Sequence, residues 1–404
     1  MAQSLALDGS ALAAFSGTFG LPPTFLARAP ARVELLGNHT DYNGGLVLSA
    51  AIDRFTVVTG RPATTREARV HSVDMDGTDT FDVDALDPRA AQGWGRYVRG
   101  VAWALQDASG PLTSGFDAGI AGDVPLGAGL SSSASLQAAV ALFLLAAGLL
   151  PGRSADLDDP ARLELAKVLR RSENEFVGVA SGLLDQFSVL MGRAGHALSL
   201  DCLTLEFRRL PLGDPAPAIV VCDSKTSRRL ADGMYNQRRT ECERVVDAFR
   251  ARKGPDRVRL LRDVSLEELR SAWDDLDPVG RLRARHVLTE NDRVVQGAEA
   301  LRAGDLAAFG ALMSASHASS RDDFGNSAPA LDALVASAES APGFLGGKLS
   351  GAGWAGCTVN LVLADHSDAF AEAVRQDYAR RTGTVPAVHV CHAAAGATGA
   401  PCEG

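Results

Sequence analysis

The sequence predicts an α+β protein of two domains, and three observations predict it. Strand-like and helix-like stretches are mixed along the chain without the strict alternation of a doubly wound parallel sheet. A length of 404 residues suits about two domains at roughly 100–200 residues each. Leu212 to Ala218 carries Pro and Gly without periodicity, which puts a break there and divides the chain into 1–212 and 213–404.

In the first domain RVELLG, LVLSAAIDRFTVVTG and ARVHSV read as strands from their Val, Ile, Leu and Phe content. Tyr97, Val98, Val101, Ala102 and Leu105 recur at helical spacing and predict a helix from Gly95 to Ala108. FDAGIAGDV reads as a strand that runs into PLGAGLSSSAS, and Leu136 to Leu150, apolar on every side, marks a helix buried in the core. Asp159 and Pro160 open a helix through LELAKVLRRSENEFV, with an acidic residue and then Pro at its first turn. SGLLDQFSVLMG starts another helix after its glycine, and HALSLDC and TLEFRRL pair as strands. The second domain opens on the strand AIVVCDS and is then mainly helical, in MYNQRRTECERVVDAFR, Val279 to Arg302 and LAAFGALMSASHASS. KLSGAGWAGCTVNLVLA reads as a glycine-rich turn feeding a strand, SDAFAEAVRQDYARR as a helix and AVHVCHA as a closing strand. The small, glycine-rich tail AAAGATGAPCEG is expected to fray.

Composition narrows the function. With 40 Lys plus Arg against 49 Asp plus Glu the net charge is −9, which disfavours nucleic acid as a partner. At 46% hydrophobic and 22% charged residues the chain has enough apolar surface to bury a core, which excludes disorder for most of it. The six cysteines form no CxxC pair, against a zinc or thioredoxin-like site, and read as apolar packers. The N-terminus lacks the basic start and apolar run of a secretory signal, and the longest apolar run, Ala138 to Leu150, is short of the roughly 20 residues of a membrane span. A cytoplasmic protein without a membrane partner is expected. Only Lys167, Lys225, Lys253 and Lys348 are lysines, so phosphate chemistry must find other donors.

Four segments concentrate chemistry. In PLGAGLSSSASL a strand ends, small residues let backbone amides approach a ligand, and the N-terminus of a buried helix favours an anion. No GK[ST] follows, so it is not a Walker A loop, and no GxGxxG marks a dinucleotide fold. A tight turn with Ser131 capping the helix would also account for it. ARVELLGNHTDYNGG sets His39, Asp41, Tyr42 and Asn43 after an apolar strand, a density of polar groups that suits a polyhydroxylated ligand. Asn-Gly there is also a hairpin signal, but Arg32 inside the strand calls for an anionic partner. Asp185, flanked by Leu183, Leu184 and Phe187, is a partly desolvated carboxylate able to accept a hydroxyl proton, or an acid in the first turn of a helix. GGKLSGAGWAGC is a second glycine-rich turn, of the kind found at a phosphate or a domain interface, or a kinked approach to a strand.

In this order these segments resemble the GHMP small-molecule kinases and, within them, the galactokinases. RVELLGNHTDYNGG is similar to the family's sugar motif, PLGAGLSSSASL to its ATP loop and GGKLSGAGWAGC to its third motif. ENEFVGVASGLLDQF resembles the base-containing segment and VCDSKTSRRLADGMYNQRR the sugar-contacting tyrosine segment, so the likeness spans about Ala29 to Cys357. The resemblance implies an N-terminal domain of the ribosomal protein S5 domain 2-like type, a ferredoxin-like C-terminal domain and an active site between them. It implies that Asp185 accepts the proton of the sugar C1 hydroxyl and that Arg32 stabilises charge beside it. Asn38, His39, Thr40, Asp41, Gly182 and Tyr235 match sugar-site positions. Gly127, Ala128, Gly129, Leu130, Ser131, Ser132 and Ser133 match the loop around the ATP phosphates, and Ser133 and Glu173 match the Mg²⁺ ligands.

The implied reaction is transfer from ATP to D-galactose, giving α-D-galactose 1-phosphate and ADP, by a monomer or weak homodimer. Phosphoryl transfer asks the protein mainly for positioning and charge stabilisation, and a hydroxyl with a carboxylate suits Mg²⁺. Two departures qualify the match. Asn38 stands where most of the family has glutamate against the C6 end of the sugar, and a neutral amide would tolerate a C6 carboxylate that glutamate repels. Lys225-Thr226-Ser227 replaces a glycine, a small apolar residue and a basic one. Galacturonate, a C2-modified galactose such as N-acetylgalactosamine, or arabinose is thus an alternative substrate, and a non-catalytic galactose and ATP sensor an alternative function.

Overall fold

The stretches rich in Val, Ile and Leu become strands, and their pairing separates the chain into two sheets. The computed structural model describes residues 2–75, 77–179, 181–226 and 231–402, with side chains from 7 onward except 231–232. Ser227 lies outside the described residues, as do residues 228–230 of the tyrosine segment and Ala180 of the base-containing segment. The strands are β1 (Phe25–Leu36), β2 (Leu46–Pro62), β3 (Glu67–Ser72), β4 (Gly77–Asp82), β5 (Phe116–Gly122), β6 (His196–Asp201), β7 (Phe207–Pro211), β8 (Ala218–Asp223), β9 (Phe344–Leu349), β10 (Cys357–Val362), β11 (Ala387–Cys391) and β12 (Thr398–Pro401).

One sheet has the order β12-β1-β2-β5-β3-β4, with β6 paired to β2 and β7 to β6. All its pairs are antiparallel except β3 with β5. The second sheet is antiparallel throughout, in the order β11-β8-β10-β9. Helices lie against both, so the fold is of the expected α+β class.

The helix Ser132–Ala146 is apolar all round, and nearly every residue from Ala134 to Leu145 is buried, as its composition requires. It begins one turn before the predicted Leu136, so Ser132 and Ser133 form its first turn, and it ends ahead of Gly148, whose φ of 66° closes it. The helix opened by Pro160 runs Asp159–Arg171, capped by the Asp158 side chain, and then widens into a π turn over Ser172–Val177 that Gly178 ends. A second core joins the two sheets: Ala31, Val33 and Leu35 of β1 meet Ile219 and Val221 of β8 and Val359 and Leu361 of β10. Because side chains alternate along a strand, Arg32 and Glu34 then share the other face of β1.

The tail departs from expectation. Instead of fraying, Thr398–Pro401 pairs with Phe25 to Arg28 of β1, and Ala397 is fully buried with its N–H on the Val189 carbonyl. Its small residues suit close packing beside an edge strand, which composition alone does not distinguish from disorder. Cys222, Cys242, Cys357 and Cys391 are buried as apolar packers, while Cys202 and Cys402 are partly exposed. No helix among the described residues is long and apolar enough to cross a membrane.

Candidate active site

β1 carries Arg32 to the point where three segments converge. Its Nε lies 2.7 Å from Asp185 Oδ1 and its Nη1 2.7 Å from the Gly129 carbonyl, while the backbone N–H donates to the Leu130 carbonyl at 3.2 Å. The anionic partner expected for a strand arginine is therefore Asp185, set in the first turn of the helix Leu184–Met191. Ser131 sits at the N-cap position with φ 57° but makes no capping bond; its hydroxyl donates instead to Asp185 Oδ2. Oδ1 is taken by Nε and Nη2 of Arg32, whereas Oδ2, with the single bond from Ser131, keeps a lone pair for an incoming hydroxyl.

Gly127 and Gly129 hold φ of 71° and 82°, the left-handed backbone that lets the loop turn tightly just ahead of the helix Ser132–Ala146. Glu173 lies in the π turn, nearly buried, and accepts from Ser181 Oγ at 2.8 Å and Gln186 Nε2 at 2.6 Å. Burial and the charge of Asp185 raise its carboxyl above the usual range, and the hydroxyls of Ser181 and Ser133 and the Gln186 amide offset this. A buried carboxylate beside a serine hydroxyl and a second acid is the donor set that a small divalent cation fits, the cation relieving the repulsion. Among the described residues no three His, Cys, Asp or Glu groups form a protein-only cage, so remaining ligands would come from phosphate and water.

The sugar motif folds on itself across a 3₁₀ turn, Asp41–Asn43. Thr40 is fully buried, its hydroxyl 2.8 Å from the Gly37 carbonyl and 2.6 Å from that of Leu46, so it closes the turn. His39, with φ 61°, places Nδ1 3.0 Å from the Tyr42 hydroxyl and Nε2 3.0 Å from the Ala352 carbonyl. Burial lowers its pKa to about 3, so the ring is neutral; a carbonyl only accepts, which puts the proton on Nε2 and makes Nδ1 the acceptor. The ring packs on Phe324 at 4.5 Å and Tyr235 at 5.4 Å between centroids. Asp41 abuts Gly182 so closely that a Cβ there would stand 1.9 Å from Asp41 Oδ2. Burial first, then the charges of Glu34 and Asp185, push the Asp41 carboxyl up to about 7 against the opposing pull of the Tyr42 N–H and Arg32. Tyr235, on the helix Ala231–Lys253, has a phenol pushed well above its usual value by burial.

Arg32, Asp185, Ser131 and Glu173 are thus brought together, with Asp41, Gly182 and Tyr235 beside them. Asn38 is buried with its side chain bonded to protein throughout. GGKLSGAGWAGC proves to be an interdomain turn: its Gly351 and Ala352 carbonyls accept from Asn38 and His39, and at Gly353, φ 91°, a Cβ would meet the Asn326 carbonyl at 2.1 Å.

Sequence reasoning passed over three residues that anchor the sugar motif. Glu290, on the helix Pro278–Ala303, takes the Gly37 and Asn38 N–H groups at 2.9 and 3.2 Å, and His286 Nε2 lies 3.0 Å from the Asn38 carbonyl. Lys348, fully buried on β9, reaches Glu34 Oε1 at 2.7 Å. A lysine within an apolar strand of a chain with four lysines was a readable signal; Glu290 had none, since helical acids are commonplace.

Comparison with known proteins adds to this geometry. The family model of the galactokinase galactose-binding signature matches residues 13–62, that of the GHMP kinases N terminal domain 96–193 and that of the GHMP kinases C terminal 298–380. The chain is 45% identical over 382 residues to a galactokinase of Roseiflexus sp. (strain RS-1), covering 95% of this chain and 94% of the relative. A galactokinase of Chloroflexus aurantiacus is 45% identical over 388 residues, 95% of each chain. The crystal structure of Lactococcus lactis galactokinase complexed with galactose aligns with a TM-score of 0.88 and 32% identity over 98% of this chain and 100% of that one. A mevalonate kinase, at TM-score 0.62 and 18% identity, shares the fold.

Proposed function

We propose, because this chain belongs to the galactokinase family of the GHMP kinases, that it transfers the γ-phosphoryl group of ATP to the C1 hydroxyl of D-galactose, giving α-D-galactose 1-phosphate and ADP. It is a sugar kinase. The observation that carries the reading is the Arg32–Asp185 pair, held between the Gly129 carbonyl of the glycine loop and the sugar motif.

Asp185 accepts a hydrogen bond from the C1 hydroxyl and takes its proton as the oxygen attacks phosphorus. Arg32 fixes the carboxylate and offsets charge on the group in transfer, and the amides of Gly127 to Ser133 orient the phosphates. Asp41, Gly182 and Tyr235 bound the sugar, with Asn38, His39 and Thr40 shaping the turn around it. Ser133 and Glu173 would hold Mg²⁺, which supplies charge neutralisation on the phosphates. We take residues 1–212 and 213–404 as the two domains, the cytoplasm as the compartment on the support of the buried thiols Cys222, Cys242 and Cys391, and a monomer or weak homodimer as the working form.

Purified protein with ATP, Mg²⁺ and a panel of aldoses tests the reading through ADP release. Galactose should give the highest kcat/KM; absence of turnover with every aldose would overturn it.

A further inference from the structure

The side chain of Asn38 has no hydrogen-bonding capacity to spare. Its Nδ2 donates to Glu34 Oε1 at 3.1 Å and to the Gly351 carbonyl at 2.9 Å, and its Oδ1 accepts from Asn326 Nδ2 at 2.9 Å and Ser320 Oγ at 3.3 Å. An amide has two donors and two lone pairs, and all four are taken. Glu34 is different. Its Oε1 receives both Lys348 and Asn38, and Oε2 accepts no hydrogen bond from the described residues. The side chain keeps 7% exposure, so this second oxygen is not sealed away.

Glu34 also lies in the right place. It follows Arg32 by two residues on one face of β1, a rise of roughly 6.5 Å along the strand. That span is comparable to a pyranose measured from its C1 oxygen to the oxygens on the far side of the ring. The charge of Glu34 is felt at Asp41 and Tyr235, which bound the same space. Lys348 and Asn38 both bind Oε1, which limits the rotamers open to the carboxylate and so fixes where its free oxygen lies.

We propose that Glu34 is a specificity-determining residue of the sugar pocket: Oε2 accepts a hydroxyl on the C4–C6 side of the substrate, with Lys348 and Asn38 as its positioning residues. The inference rests on the sugar-kinase reading and reverses what Asn38 alone suggests. A carboxyl group still stands at that end of the pocket, contributed by the strand instead of the loop; Lys348 and Asn38 occupy Oε1, so a sugar carboxylate would meet the acceptor Oε2 with no donor of its own and is disfavoured.

The test is kcat/KM by ADP release for galactose, 6-deoxygalactose, 4-deoxygalactose and galacturonate. In the native protein galactose should exceed galacturonate by at least about a hundredfold, the scale of charged-group hydrogen bonding and like-charge rejection; comparable rates for the two overturn the proposal without variants. Glu34→Gln should lower galactose kcat/KM about ten- to a hundredfold, mainly through KM, lower it less for whichever deoxy sugar lacks the bonded hydroxyl, and raise the galacturonate-to-galactose ratio. Should that variant fail to fold with Lys348 unpaired, Glu34→Gln with Lys348→Met removes both charges and is read in the same way. A folded variant with the native sugar ranking, or a loss equal for all four sugars, overturns the proposal. Native protein inactive with galactose would fail the sugar-kinase reading instead, so the two failures are distinguishable.

Discussion

The raised carboxyl of Asp41 makes the pH dependence of sugar capture a direct test of the site. Burial and the charges of Glu34 and Asp185 bring this group to about 7, and the ionised form is the better acceptor for a sugar hydroxyl. One pH unit below that value about one-tenth of the free enzyme carries the carboxylate, and one unit above it about nine-tenths does. Galactose kcat/KM should therefore rise about tenfold between about pH 6 and about pH 8. At saturating galactose kcat should rise less, because the bound hydroxyl stabilises the ionised form. The buried histidines do not compete, since burial lowers His39 to about 3 and His286 to about 4 and leaves both neutral across the range. The assay is coupled ADP release at limiting galactose, with buffer ionic strength held constant. Asp41→Asn should lower kcat/KM about ten- to a hundredfold at the alkaline end and flatten the profile. A flat native profile, or a step that survives in Asp41→Asn, would refute the assignment.

Four further outcomes follow from the same geometry. Asp185→Asn should cut kcat by about 10²- to 10⁴-fold, while thermal shift still detects ATP and galactose binding; retention of most activity would remove Asp185 from proton transfer. Gly182→Ala, whose Cβ would stand 1.9 Å from Asp41 Oδ2, should raise galactose KM and leave ATP KM nearly unchanged. For Glu290, burial alone would raise the carboxyl, but Arg293, His286, Lys348 and Ser316 outweigh it and hold it at about 2. Its folded value lies below its unfolded one, so its stabilisation is present above the ordinary value near 4.5 and is lost as pH falls toward about 2; Glu290→Gln should lower Tm at neutral pH, the gap from native narrowing through that window. A chain stopped after His392 should lose β12 and the buried Ala397, and melt at lower temperature; an unchanged Tm would mean that the tail contributes nothing.

Most of the fold was legible because each strand and long helix announces itself within its own residues. The apolar run of β2, the all-apolar helix behind the serines and the Asp-Pro start at 159 all satisfy local rules. The tail misled for the same reason: Thr398–Pro401 is a strand because β1 offers an edge, and nothing in those residues describes that edge. In the site, Arg32 and Asp185 could be singled out separately, one as a charge in an apolar strand and the other as an acid among leucines. That they are partners depends on a contact across 153 positions of sequence.

By itself, the sequence determined the α+β class of the GHMP kinase fold and raised the expectation of an anion-binding loop built from backbone amides instead of lysines, with the residue types that phosphoryl transfer to a sugar requires. Tertiary structure decided which groups are free to act. Asn38, prominent in the motif, is saturated by Glu34, Ser320, Asn326 and Gly351, whereas Glu34, inconspicuous in its strand, keeps an oxygen open beside Asp41. The physical reason is that hydrogen-bonding capacity is consumed by neighbours, and those neighbours come from β9 and from helices and turns about three hundred residues away along the chain, which no local pattern encodes.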